Sequence, residues 1–451
     1  MHKVFSSVFN SVMKNAQAHN DPVRALERVC ELYQQSVNAL ETYAKDFLHF
    51  RSSCEVTDVT YPYVGIKVNQ KASKEGLSPG AYGITLTHPH ILYEYYLRKL
   101  SDLILNNSEF IWVGESYYSM SLPFVNEALF NMLPLEEKRS PEYFHMPCIS
   151  RIQDKIAKLH KNCKIQALDM FHGERIGYSL NRLHHYCGTS AEFFQNNIIF
   201  VNYEMYTRYF IQMAEKLVKN GEFDDLIYYK RGTGQNFDPQ MPAYHLTLPN
   251  RNGITLINIG VGPSNAKTIT DHLAVLQAKS WVMLGHCAGL KAEHSIGDYI
   301  LARNYARYDH VLDNYIPVST PIPVSEELFD SFEKSVSDYN NGNLSQKMHF
   351  GTIVTTDDRH WELNGEMVNN FCNTQSIAVD MESGTIATNA FRFGIPSMSF
   401  LCISDIPLHG EIKLQKMAAD FYRTKIKNHF EICIEAVMKH TSKRSIVEKV
   451  G

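Results

Sequence analysis

Two carboxylates stand where apolar runs give way to turns. Ala378-Val379 leads into Asp380-Met381-Glu382-Ser383-Gly384, and the run 398–402 leads through Ile403 to Ser404-Asp405. Both runs have the length and residue types of buried strands. Open α/β sheets hold ligands beyond the carboxyl ends of their strands. Two strands that each deliver a carboxylate to such an edge supply an acid at one point and a hydroxyl-binding group at the other.

Other polar groups follow other apolar runs. Gly260-Val261-Gly262-Pro263-Ser264-Asn265 joins one to a helical pattern. Glycines permit a tight turn, and N–H groups at a helix start can meet an anion or a sugar hydroxyl. Gly262, Ser264 and Asn265 are therefore candidates for binding substrate. The third glycine of a dinucleotide fingerprint is missing, and the next strand ends in Gly285-His286-Cys287 without an acid for a ribose, which weighs against a nicotinamide cofactor. Gly285 lets a ligand approach the backbone. His286 suits a phosphate or hydroxyl, and equally a hydrogen-bonded place in the core. Arg359 and Trp361 lie two residues apart at a polar strand end, where either can stack on a planar heterocycle or simply belong to a solvated turn. Arg182, His184 and His185 read evenly as a solvated face or an anion site. No H-E-x-x-H, paired His/Cys spacing or G-x-S-x-G occurs, so zinc hydrolase and α/β-hydrolase readings lack support and no metal is expected.

These residues need a sheet to hold them. From about residue 197 the patterns alternate, with strands expected at 198–201, 226–229, 254–259, 281–284, 299–302 and 352–355. Helices are expected at 206–219, 265–277, 383–393 and 418–440. Alternation of this kind implies an α/β domain with a largely parallel sheet covered on both faces. Upstream, a helical stripe starts at Asp21-Pro22, followed by strands at 61–68 and 82–87 and a helix at 89–105. These read as a smaller α+β domain. The expected division is 1–165, including a proline-interrupted connecting region from about 134, and 166–451. Val4, Phe5, Val8, Phe9, Val12 and Met13 have roughly helical spacing, so the first twenty residues read as a short amphipathic docking helix.

Bulk properties narrow the classes. The 451 residues are 44% hydrophobic and 20% charged, enough for a large core. A net charge of −4 gives no basic surface for nucleic acid or an anionic membrane. No apolar stretch reaches membrane-spanning length, and the nine cysteines are scattered without a C-x-x-C pair. That usage suits a reducing compartment, and a cytoplasmic location is expected.

Taken together the motifs resemble the purine nucleoside phosphorylase and nucleosidase superfamily, and within it the bacterial AMP nucleosidases. GVGPSNAKTITDHLAVL from Gly260, GHCAGL from Gly285, GTIVTTDDRHWEL from Gly351, VDMESGTIA from Val379 and SDIPLHGEIKL from Ser404 carry the likeness. Upstream, Leu183 to Thr189 resembles the family's L-R-H-Y-T-G-T segment. The resemblance implies a three-layer phosphorylase-like domain with a mixed, largely parallel sheet. It implies hydrolysis of AMP to adenine and ribose 5-phosphate. Asp405 matches the acid that protonates N7, and it is expected to be kept protonated by partial burial. Glu382 matches the group that binds the ribose hydroxyls, Met381 packs under the sugar, and Ser404 accompanies the acid. Arg182 and His185 are candidates for the 5′-phosphate, with Arg359 and His286 behind them. Met283 and His286 stand where related phosphorylases carry an Arg and a Ser for phosphate, which favours water as nucleophile. His88 stands where the family's N-terminal segment carries an Arg, which bears on anion binding there. The resemblance further implies a homo-hexamer, no cofactor for catalysis, and MgATP as an allosteric activator. A phosphorylase, a nucleosidase for adenosine or methylthioadenosine, and a purine-nucleotide sensor without turnover stay open as alternatives.

Overall fold

The computed structural model describes residues 8–50, 59–69, 77–107, 109–139, 149–152, 165–230, 238–339, 346–410 and 426–442. The chain forms two compact units, 1–182 and 183–451. The division falls inside the helix Gly173–Cys187.

The first unit is a sheet with helices packed on it. Its strands are β1 (Met13–His19), β2 (Thr60–Val68), β3 (Gly80–Thr85), β4 (Ile111–Ser119) and β5 (Gln166–Ala167), in the order β1-β4-β2-β3-β5. All pairs are antiparallel except β3 with β5. Helix α1 (Pro22–Phe50) packs on β2 and β4 and on α2 (Pro89–Asn106). Buried Leu40, Ala44, Tyr61 and Leu122 belong to one apolar cluster between helix and sheet. The amphipathic helix expected over the first twenty residues is not what forms at 13–19. Those residues are β1, which pairs with β4 through an irregularity between Lys14 and Gln17 where Asn15 takes a positive φ of 52°. Pairing supplies partners for the edge of β4, while Phe9 and Met13 still bury their side chains against Tyr63 and Trp112. Residues 1–7 of that expectation, and parts of the expected connecting region, lie outside the described residues. His88 sits buried in a left-handed conformation before Pro89. Burial, then the neighbouring His90, lowers its pKa to about 3, so it is a neutral side chain rather than a cation.

The second unit carries a nine-stranded sheet in the order β13-β12-β11-β14-β10-β6-β9-β8-β7. The strands are β6 (Asn197–Val201), β7 (Asp225–Tyr228), β8 (Ala243–Thr247), β9 (Ile254–Asn258), β10 (Ser280–Gly289), β11 (Tyr299–Tyr308), β12 (Met348–Thr356), β13 (Ala378–Asp380) and β14 (Ser397–Asp405). The sheet is mixed, as expected, but the expectation of a largely parallel three-layer arrangement needs correction. Strand β10 also pairs with β13, closing β13-β12-β11-β14-β10 into a barrel-like ring. That pairing is antiparallel, as are β11 with β14, β9 with β8 and β8 with β7. The cause is local. The register of β10 against β14 slips after Cys287, so Cys287 faces Ile403 and Ala288 faces Asp405. The extra residue, Ser404, forms a bulge, which adds twist and lets a sheet curl on itself.

Helices α3 (Glu204–Lys219), α4 (Pro263–Leu273), α5 (Glu326–Asp338), α6 (Gly365–Asn373) and α7 (Ser383–Phe393) cover the sheet, with a last helix over 426–442. Helix α7 packs on α4 and on β10, β11, β12 and β14. It is buried almost all round and stops at Gly394, whose φ of 68° is a conformation glycine adopts at little steric cost.

Candidate active site

Strands β9, β6, β10 and β14 are successive parallel neighbours, so their C-terminal ends share one edge of the sheet. That edge gathers Asn202 after β6, the glycine turn after β9, Gly285 to Gly289 in β10, and Ser404-Asp405. Strand β13 brings Glu382 from the other side of β10. Ala288 has Val379 as one strand neighbour and Asp405 as the other. With strands about 4.8 Å apart, Val379 and Asp405 are about 10 Å apart across β10.

Glu382 is 1% exposed and held at both oxygens. Gly262 N–H donates to Oε1 at 2.6 Å, and Asn202 Nδ2–H donates to Oε2 at 3.1 Å. Gly262 has a φ of 116°, so only a glycine turns this N–H toward the carboxylate without strain. Asn265 Nδ2 donates to the Ile259 carbonyl at 2.9 Å, tying the turn beneath it. Ser264 is exposed in the first turn of α4. A Cβ at Gly285 would meet Met283 Cε at 2.8 Å and Asn202 Oδ1 at 3.3 Å, so glycine there leaves room for both.

Asp380, two residues before Glu382, is also buried. It accepts from Thr355 Oγ1 at 2.6 Å and from the N–H groups of Ser383 at 2.8 Å and Glu382 at 3.3 Å. Thr355 Oγ1 in turn accepts from Gly384 N–H at 2.6 Å. This cap fixes the start of α7 and with it the Glu382 backbone. Burial first, and then the Asp380 charge, push the Glu382 pKa up to about 8; its hydrogen bonds from Gly262 and Asn202 oppose that rise. Burial raises Asp380 as well.

The acid candidate is built on the bulge. Ser404 Oγ lies 2.6 Å from Asp405 Oδ1 and 3.3 Å from the Cys287 carbonyl oxygen. Ser404 is buried and Asp405 is half-buried, so the carboxyl has a route to a ligand. Met381 is half-buried beside Glu382.

The remaining candidates divide. His286 is buried, with Nε2 3.2 Å from the Tyr206 hydroxyl and its ring 5.3 Å from that of Tyr203. Met283 is fully buried in β10. Arg359 is exposed, whereas Trp361 is buried in an apolar cluster with Ala288, Leu290, Val354, Phe371 and Val379. The two are therefore not brought together. Arg182 and His185 lie on the helix Gly173–Cys187, Arg182 half-buried and His185 exposed. The His185 ring neighbours Tyr186, which stacks on His272 near the C-terminal end of α4. By helix rise that residue is about 14 Å along α4 from the glycine turn. Sequence reasoning passed over Asn202, Thr355, Asp380 and Tyr206. Asn202 had the same signal as Asp405, a polar residue closing an apolar strand. Among the described residues no group of three or more His, Cys, Asp or Glu could hold a metal ion, and no helix is long and apolar enough to cross a membrane.

Residues 217–438 match the Phosphorylase superfamily, and residues 24–165 match the Bacterial AMP nucleoside phosphorylase N-terminus. The second unit is thus a phosphorylase-superfamily domain. The chain is 35% identical to AMP nucleosidase of Escherichia coli (strain K12) over 474 residues, covering 94% of this chain and 95% of the relative. It is 26% identical to the 5'-methylthioadenosine/S-adenosylhomocysteine nucleosidase of Buchnera aphidicola over 40% of this chain and 80% of that one. A crystal structure of AMP nucleosidase from Bacteroides thetaiotaomicron VPI-5482 aligns with 58% of this chain and 96% of that one, at 24% identity and a TM-score of 0.46. The chain belongs to the AMP nucleosidase family and is an N-glycosyl hydrolase.

Proposed function

We propose that this protein hydrolyses the N-glycosidic bond of AMP, giving adenine and ribose 5-phosphate. The observation that carries the reading is the buried Glu382, clamped by Gly262 and Asn202, one strand away from the Ser404-Asp405 bulge. Adenine leaves poorly as an anion, so a donor at N7 is required. Asp405 supplies that proton. With the proton on Oδ2, Ser404 can donate to Oδ1, which holds the carboxyl and leaves Oδ2–H as the donor. Glu382 accepts from the ribose hydroxyls, and its charge stabilises the developing oxocarbenium ion. Water then adds at C1′ as the C1′–N9 bond breaks.

Two features support water over phosphate as nucleophile. The position where related phosphorylases carry an Arg holds the buried Met283, and His286 is engaged by the Tyr206 phenol. Arg182 remains our candidate for the 5′-phosphate, with His185 second. A homo-hexamer that responds to MgATP is part of the same reading. Six free cysteines among the described residues suit the reducing, cytoplasmic compartment it entails.

The test is adenine release from AMP in phosphate-free buffer, with adenosine run alongside. Adenine and ribose 5-phosphate from AMP, with little from adenosine, are expected. Release from adenosine alone, and only with added phosphate, would make the protein a phosphorylase and overturn the reading.

A further inference from the structure

Asp298, the residue before β11, is a buried carboxylate outside the acid and ribose machinery. Its Oδ1 accepts from Lys347 N–H at 3.0 Å, and its Oδ2 from Ser295 N–H at 3.1 Å. His349 Nε2 lies 2.9 Å from the same Oδ2. Burial by itself would raise the Asp298 pKa, but the bonds from His349, Lys347 and Ser295 outweigh it and hold the carboxyl below its ordinary value. Asp298 is therefore ionised and only accepts, so His349 Nε2–H is the donor. The buried His294 ring lies 4.5 Å from that of His349. It reaches the end of β10, where a Cβ at Gly289 would meet His294 Nδ1 at 2.9 Å and Ile403 Cγ2 at 3.3 Å.

The same residue holds the strand that carries the acid. Pairing of β11 with β14 ends at Tyr299 with Cys402. Beyond that pair, Ile403 N–H donates to the Asp298 carbonyl at 2.9 Å, and Gly297 N–H donates to the Ile403 carbonyl at 2.9 Å. On its other side Ile403 faces Cys287 of β10. The next residue is the Ser404 bulge, which sets Asp405 opposite Ala288. A bulge interrupts the ladder, so where it falls depends on the last paired residue before it. Ile403 is that residue, and Gly297-Asp298 is its hold on the β11 side. The Asp298 side chain ties this short segment to the start of β12 through Lys347 and His349.

We propose that Asp298 is a positioning residue for the general acid, acting through Ile403 to keep the Ser404 bulge in register and so to fix where Asp405 delivers its proton. This rests on the AMP hydrolysis argued above. A general acid must stay within hydrogen-bond reach of the leaving atom, and a misplacement of about 1 Å costs on the order of 10²-fold. Asparagine at 298 removes the hold. Its amide must turn an NH2 toward Lys347 N–H, or toward Ser295 N–H and His349, donor against donor. Neither Asp298 nor His349 is among the groups assigned to AMP, so binding should survive the change.

One arm of the test needs no turnover. Hydrogen exchange of the Ile403 amide in the full-length protein is expected to quicken about tenfold or more in Asp298→Asn. Unchanged exchange defeats the proposal whatever the activity. In the kinetic arm Asp298→Asn is expected to lower kcat for AMP about tenfold or more and to leave KM within about threefold. The deciding arm repeats the substitution in Asp405→Asn protein, where the further loss in kcat should stay under about twofold. A residue that merely stabilises the fold would lower kcat alike in both backgrounds, and that result, or an unchanged kcat, overturns the proposal. Should Asp298→Asn fail to fold, His349 carries the test. His349→Ala is expected to lower kcat about threefold or more, and His349→Gln, which still offers an N–H, to restore it. Equal kcat in those two variants overturns the proposal. If wild-type protein releases no adenine from AMP while Ile403 exchange quickens in Asp298→Asn, the AMP reading fails and the hold of Asp298 on Ile403 stands.

Discussion

Asn202→Ala tests the site at its most informative contact. The substitution deletes the donor 3.1 Å from Glu382 Oε2 and leaves the 2.6 Å bond from Gly262 in place. Glu382 is 1% exposed, so bulk water does not take over directly. A hydrogen bond to a charged group contributes about 1.5–3 kcal/mol, and each 1.4 kcal/mol is about a factor of ten. We expect kcat/KM for AMP to fall roughly 10- to 150-fold when measured below the Glu382 pKa, where the ionised fraction drops by that factor. The pH dependence gives a second reading of the same interaction. Asn202 stabilises the ionised form of Glu382 and so holds its pKa below what burial and Asp380 alone would set. Losing it raises that pKa above its value of about 8, by roughly one to two units for the same energy. The rising limb of kcat/KM against pH, which reports groups on the free enzyme, should move to higher pH by that amount. Adenine release at subsaturating AMP across the pH range measures both effects. If Asn202→Ala keeps wild-type kcat/KM and an unmoved limb, ionised Glu382 does not hold the ribose and the site is wrongly built.

Other expectations are briefer. Asp405→Asn should bind AMP with a near-normal dissociation constant by calorimetry yet lose roughly 10²- to 10⁴-fold in kcat, the usual reach of a general acid; retained turnover would remove Asp405 from that role. The Glu382 pKa is raised from an ordinary 4.5 to about 8, so this group favours the fold below pH 4.5 and loses that contribution as pH rises through 8. Glu382→Gln cannot ionise, and its Tm should gain on wild type between pH 5 and pH 9; a constant difference would contradict the burial argument. Trp361→Ala should cost about 3–5 kcal/mol in urea unfolding, as large aromatic truncations in a core do. A raised KM for AMP with undiminished stability would instead return the indole to base stacking.

Much of the candidate site was legible in the sequence because strand ends announce themselves. An apolar run followed by Ser-Asp, by Met-Glu-Ser or by Gly-x-Gly-Pro is local information, and each of these segments does end a strand or open a helix at one edge of the sheet. Helix signals were as local. The stripe beginning at Pro22 and the stop at Gly394 fall where spacing and glycine predict them. Strand β8 and helices α5 and α6 went unread because their runs are short or mixed in polarity.

What the sequence could not decide is everything that depends on who pairs with whom. Residues 13–19 carry part of a helical pattern, yet the unpaired edge of β4 makes them a strand, since an unmet row of backbone groups outweighs a weak local preference. Alternating strands and helices imply a largely parallel sheet, but the one-residue slip at Ser404 lets β10 pair antiparallel with β13 and close a ring. Asp405 was evident as a carboxylate at a strand end, whereas the meeting of Glu382 with Gly262 and Asn202, 120 and 180 residues away, is a product of folding alone. Residue type sets which chemistry is available. Only the tertiary structure strips water from Glu382, sets Asp380 behind it and lifts its pKa to about 8, because desolvation and charge proximity have no counterpart in the linear chain.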